Sequence, residues 1–390
     1  MKKVLGGLAL AGLLTAGVAN AGTITVANSD LALYGGLSAG YIIQDNDLNA
    51  DGNTATPAGT YGDTFKIFTA AVGLAKKATP NSPIGFNLAL AQFEVPTLLA
   101  SSDIVNDNGL IELGTTNDNL KPWLAEVDIV PVDGLKIAAG ILWSKYGEKP
   151  VTILNNHINR GLMYLFFNPV AYSGVRAEFT QTVPYVGTFD MYAGYNQANG
   201  LRLNPTALAG VTIDPKDAYE LGAAGTFNLG VTKLNAKLHY YDEAGGRNIW
   251  TLCTGVDFKN FIKGGLQFSY ATKDDQLKDA EKNANIKASD EYWGVGLNFN
   301  LSLLDAAIAN VEFPMRLEYV KLDIDADDDG DKDKMWSFTI TPTWKPTGNT
   351  FVRAEYTYTK SDAKIFEDMK DANSADDTRS TVAVEAGFLF

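Results

Sequence analysis

The last eleven residues of the chain, Ser380–Phe390, read STVAVEAGFLF and alternate between two kinds of side chain. In an extended strand successive side chains point to opposite faces. The apolar face of this strand carries Val382, Val384, Ala386, Phe388 and Phe390, and the mixed face carries Thr381, Ala383, Glu385, Gly387 and Leu389. A sheet edge that ends on a bare phenylalanine is an aggregation hazard in water. In a membrane the same strand can pair with the first strand, close a barrel and place its terminal ring at the lipid–water interface.

The amino-terminal residues 1–21 have the pattern of a cleavable signal peptide. Lys2 and Lys3 precede an apolar run over residues 4–18, and Ala19-Asn20-Ala21 is a small-x-small cleavage site. We expect the mature chain, residues 22–390, to leave the cytosol. No later run of about 18 residues stays apolar, so no membrane helix is predicted. Alternating segments continue to the last residue without a Pro/Ser-rich linker, which predicts a single domain.

Charge and cysteine content narrow the possible partners and the source of stability. The formal net charge is -14, and the acidic excess comes without basic clusters. This balance argues against nucleic acid as a partner. Cys253 is the only cysteine, so no intrachain disulfide can form in the exported chain. Strand pairing must therefore hold the fold.

Sixteen segments have the alternation of membrane-crossing strands, each close to the length of about 9–11 residues that a tilted strand needs. They span residues 31–43, 64–75, 84–93, 122–130, 135–145, 174–182, 188–196, 218–227, 232–241, 249–258, 262–272, 291–299, 312–322, 335–344, 350–360 and 380–390. Long and short connections alternate between them, as do the outer loops and periplasmic turns of outer-membrane barrels. The sequence thus predicts an all-β fold, a transmembrane antiparallel up-and-down β-barrel of 16 strands. A barrel of 18 strands is the alternative, because LMYLFFNPV at residues 162–170 could itself be a strand.

Aromatic residues recur at the ends of the predicted apolar faces. On odd-numbered strands the outer end carries Tyr41, Trp143, Tyr195, Tyr240, Tyr270, Tyr319 and Tyr358. On even-numbered strands the inner end carries Phe179, Phe227, Phe258, Phe299, Trp344 and Phe390. Amphipathic rings prefer the headgroup level, so two aromatic girdles at the two bilayer surfaces account for this pattern.

The first predicted strand contains the segment LYGGLSAGY at residues 33–41. This segment resembles the opening strand of Gram-negative outer-membrane porins, and the terminal phenylalanine is a second point of similarity. The middle of the chain is similar in rhythm rather than in motif. The resemblance implies an outer-membrane channel for passive diffusion of small hydrophilic solutes and ions. It also implies a homotrimer surrounded by outer-membrane lipid and lipopolysaccharide, with neither a cofactor nor a chemical step.

The opposite faces of the predicted strands carry many charges. A Lys or Arg on the lipid face near the midplane costs about 2–4 kcal/mol, so a charged inner wall indicates a wet interior. Sixteen strands are enough to leave an aqueous channel. The predicted pore-lining residues are Lys66, Lys136, Arg176, Glu178, Lys233, Lys237, Lys263, Arg316, Glu318, Arg353 and Glu355. The simpler interpretation is that neighbouring pairs of these charges only solvate the wall.

The third long connection, residues 146–173, would fold into the barrel and constrict it if the chain follows porin architecture. General porins place acidic residues on this loop, but here no acid follows Glu148 within it. We therefore predict a weakly basic constriction formed by Lys149, His157 and Arg160. The alternative is a loop that only packs on the wall through Leu162, Tyr164 and Phe166.

An acidic segment has part of a calcium-loop pattern. The residues Asp325, Asp327, Asp329 and Asp331 alternate around Gly330, as oxygen ligands do at the start of such a loop. Trp336 stands at the twelfth position, where a bidentate glutamate is expected. An acidic surface loop is the simpler interpretation, and Ca²⁺ binding is the alternative.

Enzymatic activity is not indicated. His157 and His239 lie in different predicted elements, and neither a G-x-S-x-G nor an H-E-x-x-H motif accompanies them. Two rival functions stay open. A solute-specific porin for phosphate or another oxyanion would need several lumen bases close together, for which Lys233 and Lys237 on one strand are the only hint. A surface adhesin or structural protein would need loops that reach the size of a domain, and the loops here fall well short of it.

Overall fold

The structure, a computed structural model, describes residues 24–25, 30–44, 64–96, 101–103, 121–149, 151–169, 171–196, 217–243, 246–258, 262–275, 278, 290–302, 310–322, 334–362, 366–368 and 371–390. The main sheet contains nineteen strand segments. Two of them are short additions, Ile24–Thr25 and Ser101–Asp103, and two are halves of one strand, which leaves sixteen barrel strands. They are β1 (Leu31–Gln44), β2 (Thr64–Lys76), β3 (Ile84–Pro96), β4 (Lys121–Val132), β5 (Leu135–Trp143), β6 (Ala171–Val183), β7 (Gly187–Asn196), β8 (Ala218–Leu229), β9 (Thr232–Asp242), β10 (Arg247–Phe258), β11 (Ile262–Lys273), β12 (Glu291–Ser302), β13 (Val311–Lys321), β14 (Lys334–Ile340 with Thr343–Thr347), β15 (Thr350–Ser361) and β16 (Thr378–Leu389). The prediction of a 16-stranded antiparallel barrel is confirmed.

The barrel closes where β16 pairs with β1. Leu37 lies opposite Phe388, and Gly35 and Phe390 exchange two backbone hydrogen bonds of 3.0 Å each. Closure satisfies backbone groups that lipid could not. The predicted pairing of the last strand with the first, which closes the barrel, is confirmed.

Side chains alternate between the exterior and the interior of the barrel. In β16, Val382 and Phe388 are 43% and 46% exposed, whereas Ala383 and Glu385 are each 1% exposed. An apolar exterior around a polar interior is the arrangement that a barrel in lipid requires.

The segment that was the candidate for an additional strand is helical. Leu162–Phe167 form the short helix α1, which begins after Gly161 and ends before Asn168. All six side chains of α1 are buried, as expected for a helix that is apolar on every side. Pro169 follows directly and disfavours helical backbone at the residue before it. The alternative of 18 strands is therefore wrong.

One aromatic residue departs from the predicted girdles. Trp143 is 7% exposed and belongs to a buried cluster with Trp123 and Ile153. Gly140 has a φ of +131°, a conformation that favours glycine, and beyond it both Leu142 and Trp143 are buried. The regular alternation of β5 stops there, so the prediction that Trp143 lies at the outer interface is wrong.

The two halves of β14 are separated by Thr341-Pro342. Both halves pair with β13 and β15, and Pro342 lacks the N–H group that a ladder needs. Within the described residues, no helix is long and apolar enough to span a membrane. The predicted signal peptide, residues 1–21, lies outside the described residues.

Candidate functional site

The third loop, which connects β5 to β6, lies inside the barrel. Ile153 belongs to one buried cluster with Leu389 of β16, and Phe167 of α1 belongs to another with Val320 of β13. The loop thus reaches across the lumen to the opposite wall, as the family resemblance implied. A chain segment in this position narrows the lumen of the barrel.

Two glutamates of the wall accept hydrogen bonds from the main chain of the loop. Glu355 of β15 accepts from the backbone N–H groups of Ile158 at 2.6 Å and Asn159 at 2.8 Å. Glu318 of β13 accepts from the first two backbone N–H groups of α1 at 2.9 and 3.1 Å. The first N–H groups of a helix have no partner within the helix. The carboxylates therefore satisfy donors that would otherwise be buried and unpaired.

Two arginines of the same wall bind carbonyl groups of the loop. Arg353 donates to the carbonyl oxygens of Asn155 at 2.7 Å and Thr152 at 3.0 Å. Arg316 donates to the carbonyl oxygen of Asn159 at 2.9 Å. Hydrogen bonds to charged groups contribute about 1.5–3 kcal/mol each, so the loop is held to the wall at several points.

Four predicted pore-lining residues consequently lie beneath the loop and do not face open lumen. Each is at most 4% exposed: Arg316, Glu318, Arg353 and Glu355. Arg316 pairs with Glu318 at 3.3 Å, and Arg353 pairs with Glu385 of β16. Because all four side chains also bind the main chain of the loop, they anchor it. Removing one member of such a buried set leaves its partner uncompensated, which is strongly destabilising.

His157 and Arg160 are both buried. His157 is 3% exposed, and its Nδ1 lies 2.7 Å from Oγ1 of Thr341. Burial, followed by the charges of Arg316 and Arg160, holds the pKa of His157 well below its usual value, so the ring is neutral. Arg160 is 0% exposed. The prediction that these two side chains face the pore is wrong, because His157 is held by Thr341 of the wall and Arg160 pairs with Glu148 at the start of the loop.

Glu148 connects Arg160 of the loop with Arg316 of the wall. Its carboxylate accepts hydrogen bonds from Arg160 and Arg316, both at 3.1 Å. Burial alone would raise the pKa of Glu148, but Arg316 and Arg160 hold it below its usual value. This acid therefore stays charged and fixes the start of the loop to β13.

A cavity of about 590 Å³ remains between the third loop and strands β2–β6. It extends from the turns at residues 79–80 and 133–134, at the barrel end where β1 begins, to Lys149 of the loop. Acids and bases both line it, namely Glu126, Asp128, Lys136, Lys145, Lys149, Arg176 and Glu178. This cavity is the candidate solute path.

Most charges of the cavity are paired. Lys136 lies 3.2 Å from Asp128 and 3.5 Å from Glu178. Glu178 also lies 2.5 Å from Lys145 and 2.8 Å from Arg176. Three bases thus surround one carboxylate.

Lys149 and Lys237 differ from these bases in their partners. Lys149 Nζ donates to the carbonyl oxygen of Ser144 at 2.7 Å, and Lys237 Nζ donates to that of Lys145 at 3.2 Å. Neither ammonium group forms an ion pair with a carboxylate in the described part of the chain. Burial, followed by the charges of Lys237 and Arg176, lowers the pKa of Lys149 to about 7. Of the three predicted constriction residues, Lys149 is the one that lines the cavity.

The other predicted lumen bases lie on the inner wall, where the alternation places them. Lys66 is half-buried on β2, and Lys233 is exposed near the start of β9. Lys263 of β11 lies 3.9 Å from Asp257 of β10. With Lys237 of β9 they extend the charged wall beyond the cavity.

Lys145 and Glu148 were missed among the predicted site residues. Lys145 follows the end of β5 at Trp143, so strict alternation along β5 assigns it to the lipid side. A lysine on the lipid face is costly, and this cost is the signal that could have shown that the alternation ends before residue 145.

The acidic segment with Asp325, Asp327, Asp329 and Asp331 lies outside the described residues, so Ca²⁺ binding there stays a prediction. Trp336, at the position of the expected glutamate, belongs to β14 and packs against Tyr358 with ring centroids 5.2 Å apart. Within the described ranges, no group of three or more His, Cys, Asp or Glu side chains could hold a metal ion.

A barrel of sixteen strands with a third loop folded into a charged lumen is the architecture of a porin. Residues 30–390 match the family "Putative beta-barrel porin-2, OmpL-like". The chain belongs to this porin family. No curated protein sequence matches this porin-like barrel.

Solved structures of outer-membrane proteins share the fold of this family member. The anion-selective porin from Comamonas acidovorans is 13% identical with a TM-score of 0.55, over 92% of this chain and 99% of that chain. The outer membrane channel DcaP of Acinetobacter baumannii is 14% identical with a TM-score of 0.53, over 95% of this chain and 100% of that chain. The trimer form of OmpT, an outer membrane protein of Vibrio cholerae, is 10% identical with a TM-score of 0.54, over 92% and 99%. At these identities the similarity establishes the barrel fold alone.

Proposed function

We propose that this porin-like barrel is an outer-membrane channel through which small hydrophilic solutes and ions diffuse passively. The supporting observation is the cavity of about 590 Å³, lined by charged side chains, between the turn end of the barrel and Lys149 of the third loop. A barrel of about sixteen strands is wide enough to hold an aqueous channel. Charged and polar groups along such a path set which ions enter it.

The proposal includes no chemical step. Ser144 Oγ donates to Glu220 at 2.6 Å, while His157 is bonded to Thr341 and His239 to Tyr192. Neither histidine is hydrogen-bonded to Ser144, so the histidine base of a Ser-His pair is not in place at this serine. This arrangement supports a channel rather than a hydrolase.

Conductance across a planar lipid bilayer tests the channel function. Purified, refolded protein should give stepwise current increases in KCl, and heat-denatured protein at the same concentration should give none. Liposome swelling with sugars of increasing size should then set the size limit of the path. Inserted protein that conducts no current and admits no sugar would contradict the proposal and favour the adhesin or structural alternative.

We also propose that the mature chain is a homotrimer in contact with outer-membrane lipid and lipopolysaccharide. OmpT of Vibrio cholerae, whose barrel fold this chain shares, has a trimer form. Native mass spectrometry from detergent should give three times the mass of one chain. The mass of a single chain, found for protein that gives the current steps described above, would contradict the trimer.

A further inference from the structure

We propose that Lys149 and Lys237 form a binding site for small oxyanions, that is, for carboxylate or phosphate groups, at the loop end of the lumen cavity. This inference rests on the proposed channel function, because a solute must enter the lumen to reach the two lysines. It adds a solute class to that function.

The two ammonium groups approach the same short segment from different elements. Lys149 belongs to the third loop, and Lys237 lies in the middle of β9. They donate to the carbonyl oxygens of the consecutive residues Ser144 and Lys145, whose Cα atoms are about 3.8 Å apart. An ammonium group has three N–H donors, so a bond to one carbonyl leaves donors for a ligand.

The acids near the two lysines are engaged with other groups. Glu178 is paired with Lys145 at 2.5 Å and Arg176 at 2.8 Å. Glu220 is 0% exposed and accepts from Ser144 Oγ at 2.6 Å and from the backbone N–H of Lys145 at 2.9 Å. Lys149 lines the cavity, and Lys237 donates to the carbonyl oxygen of Lys145, which also lines it. Neither ammonium group has an ion-pair partner in the described part of the chain.

An oxyanion is the ligand that fits this arrangement. Two cations at separate positions match the several oxygen atoms of a carboxylate or phosphate, and lysine binds phosphate as a point charge. Burial, followed by repulsion from the charge of Lys237, lowers the pKa of Lys149 to about 7. An anion between them would relieve this repulsion, whereas a cation would add to it.

The test is the single-channel KCl current in the presence of inorganic phosphate or acetate. We expect a saturable fall in conductance as either anion occupies the site. The substitutions Lys149→Gln and Lys237→Gln should each raise the half-blocking concentration on the order of tenfold, because each removes a charge-assisted hydrogen bond. Lys149→Arg keeps the charge and should keep the block.

Lys233→Gln is the matched control, because it removes the same charge from β9 near the turn end of the strand. Its half-blocking concentration should equal that of the wild type. Block by phosphate alone, by acetate alone or by both supports the site and identifies the oxyanion. Absence of block, or block that is equal in the Lys149→Gln, Lys237→Gln and control variants, overturns the inference. Current steps in KCl would persist in that case, whereas failure of the channel function would abolish them.

Discussion

Replacing Glu355 with glutamine should loosen the third loop without unfolding the barrel. Glu355 accepts hydrogen bonds from the backbone N–H groups of Ile158 and Asn159 at 2.6 and 2.8 Å, and from Thr341 Oγ1 at 2.8 Å. Glutamine has the same shape but a single acceptor oxygen. Its amide nitrogen would point hydrogen atoms at one of the loop's own N–H groups.

The expected magnitude follows from the two bonds to the main chain. One backbone N–H group loses its acceptor at a cost of about 1–3 kcal/mol, and the other bond changes from a charged to a neutral acceptor at about 1 kcal/mol. The free energy of loop docking should therefore fall by about 2–4 kcal/mol, which raises the population of undocked loop about 30- to 900-fold. The strand ladders do not depend on this carboxylate and should keep their stability.

Amide hydrogen exchange, followed by mass spectrometry, measures this change directly. Peptides that contain Ile158 and Asn159 should exchange faster in the Glu355→Gln variant by the factor given above. Glu312→Gln is the matched control, since Glu312 pairs with Lys345 at 2.9 Å and accepts no hydrogen bond from the loop within the described residues. Equal loop exchange in both variants would refute the anchoring role, and faster exchange in the strands would show that the barrel itself is affected.

Three further outcomes test other parts of the site. Raising the pH from 6 to 8 should discharge Lys149, because its pKa is lowered to about 7. The reversal potential in a KCl gradient should then shift toward cation selectivity, and the Lys149→Gln variant should show no such shift. Lowering the pH should loosen the loop, because an undocked histidine takes up a proton near pH 6.5, whereas the docked His157 has a pKa well below that value. The stability that neutral His157 gives to the docked loop is thus complete above about pH 6.5 and is lost as the pH falls. Undocking should appear as added noise in the single-channel current between pH 7 and pH 5, and His157→Gln should reduce this noise. Gly161→Ala should increase amide exchange in α1, because the added Cβ would collide with the carboxylate of Glu318. Gly264→Ala is the control and should leave this exchange unchanged, because the nearest atom to its added Cβ is 3.8 Å away.

The strands could be predicted because lipid imposes one rule on all of them. Each must present apolar side chains outside, so alternation locates the strand, its length and its inner face. The same rule placed Arg316 and Glu318 on the inner wall, where the structure has them. It could not show that the third loop covers them, because contacts between Glu318 and the start of α1 join segments 156 residues apart. Periodicity carries no information about such a contact.

Two neighbouring residues of the third loop have different roles, one as an anchor to the wall and the other as a lining residue of the cavity. Glu148 points to Arg316 of the wall, whereas Lys149 lines the cavity. Because the anchor precedes the cavity lysine directly, any change that displaces Glu148 also displaces the charge of Lys149. Substitutions at Arg316 should therefore alter ion selectivity although the Arg316 side chain is 2% exposed. In the proposed channel, selectivity should thus depend on buried contacts of the loop as much as on the side chains that face the solute.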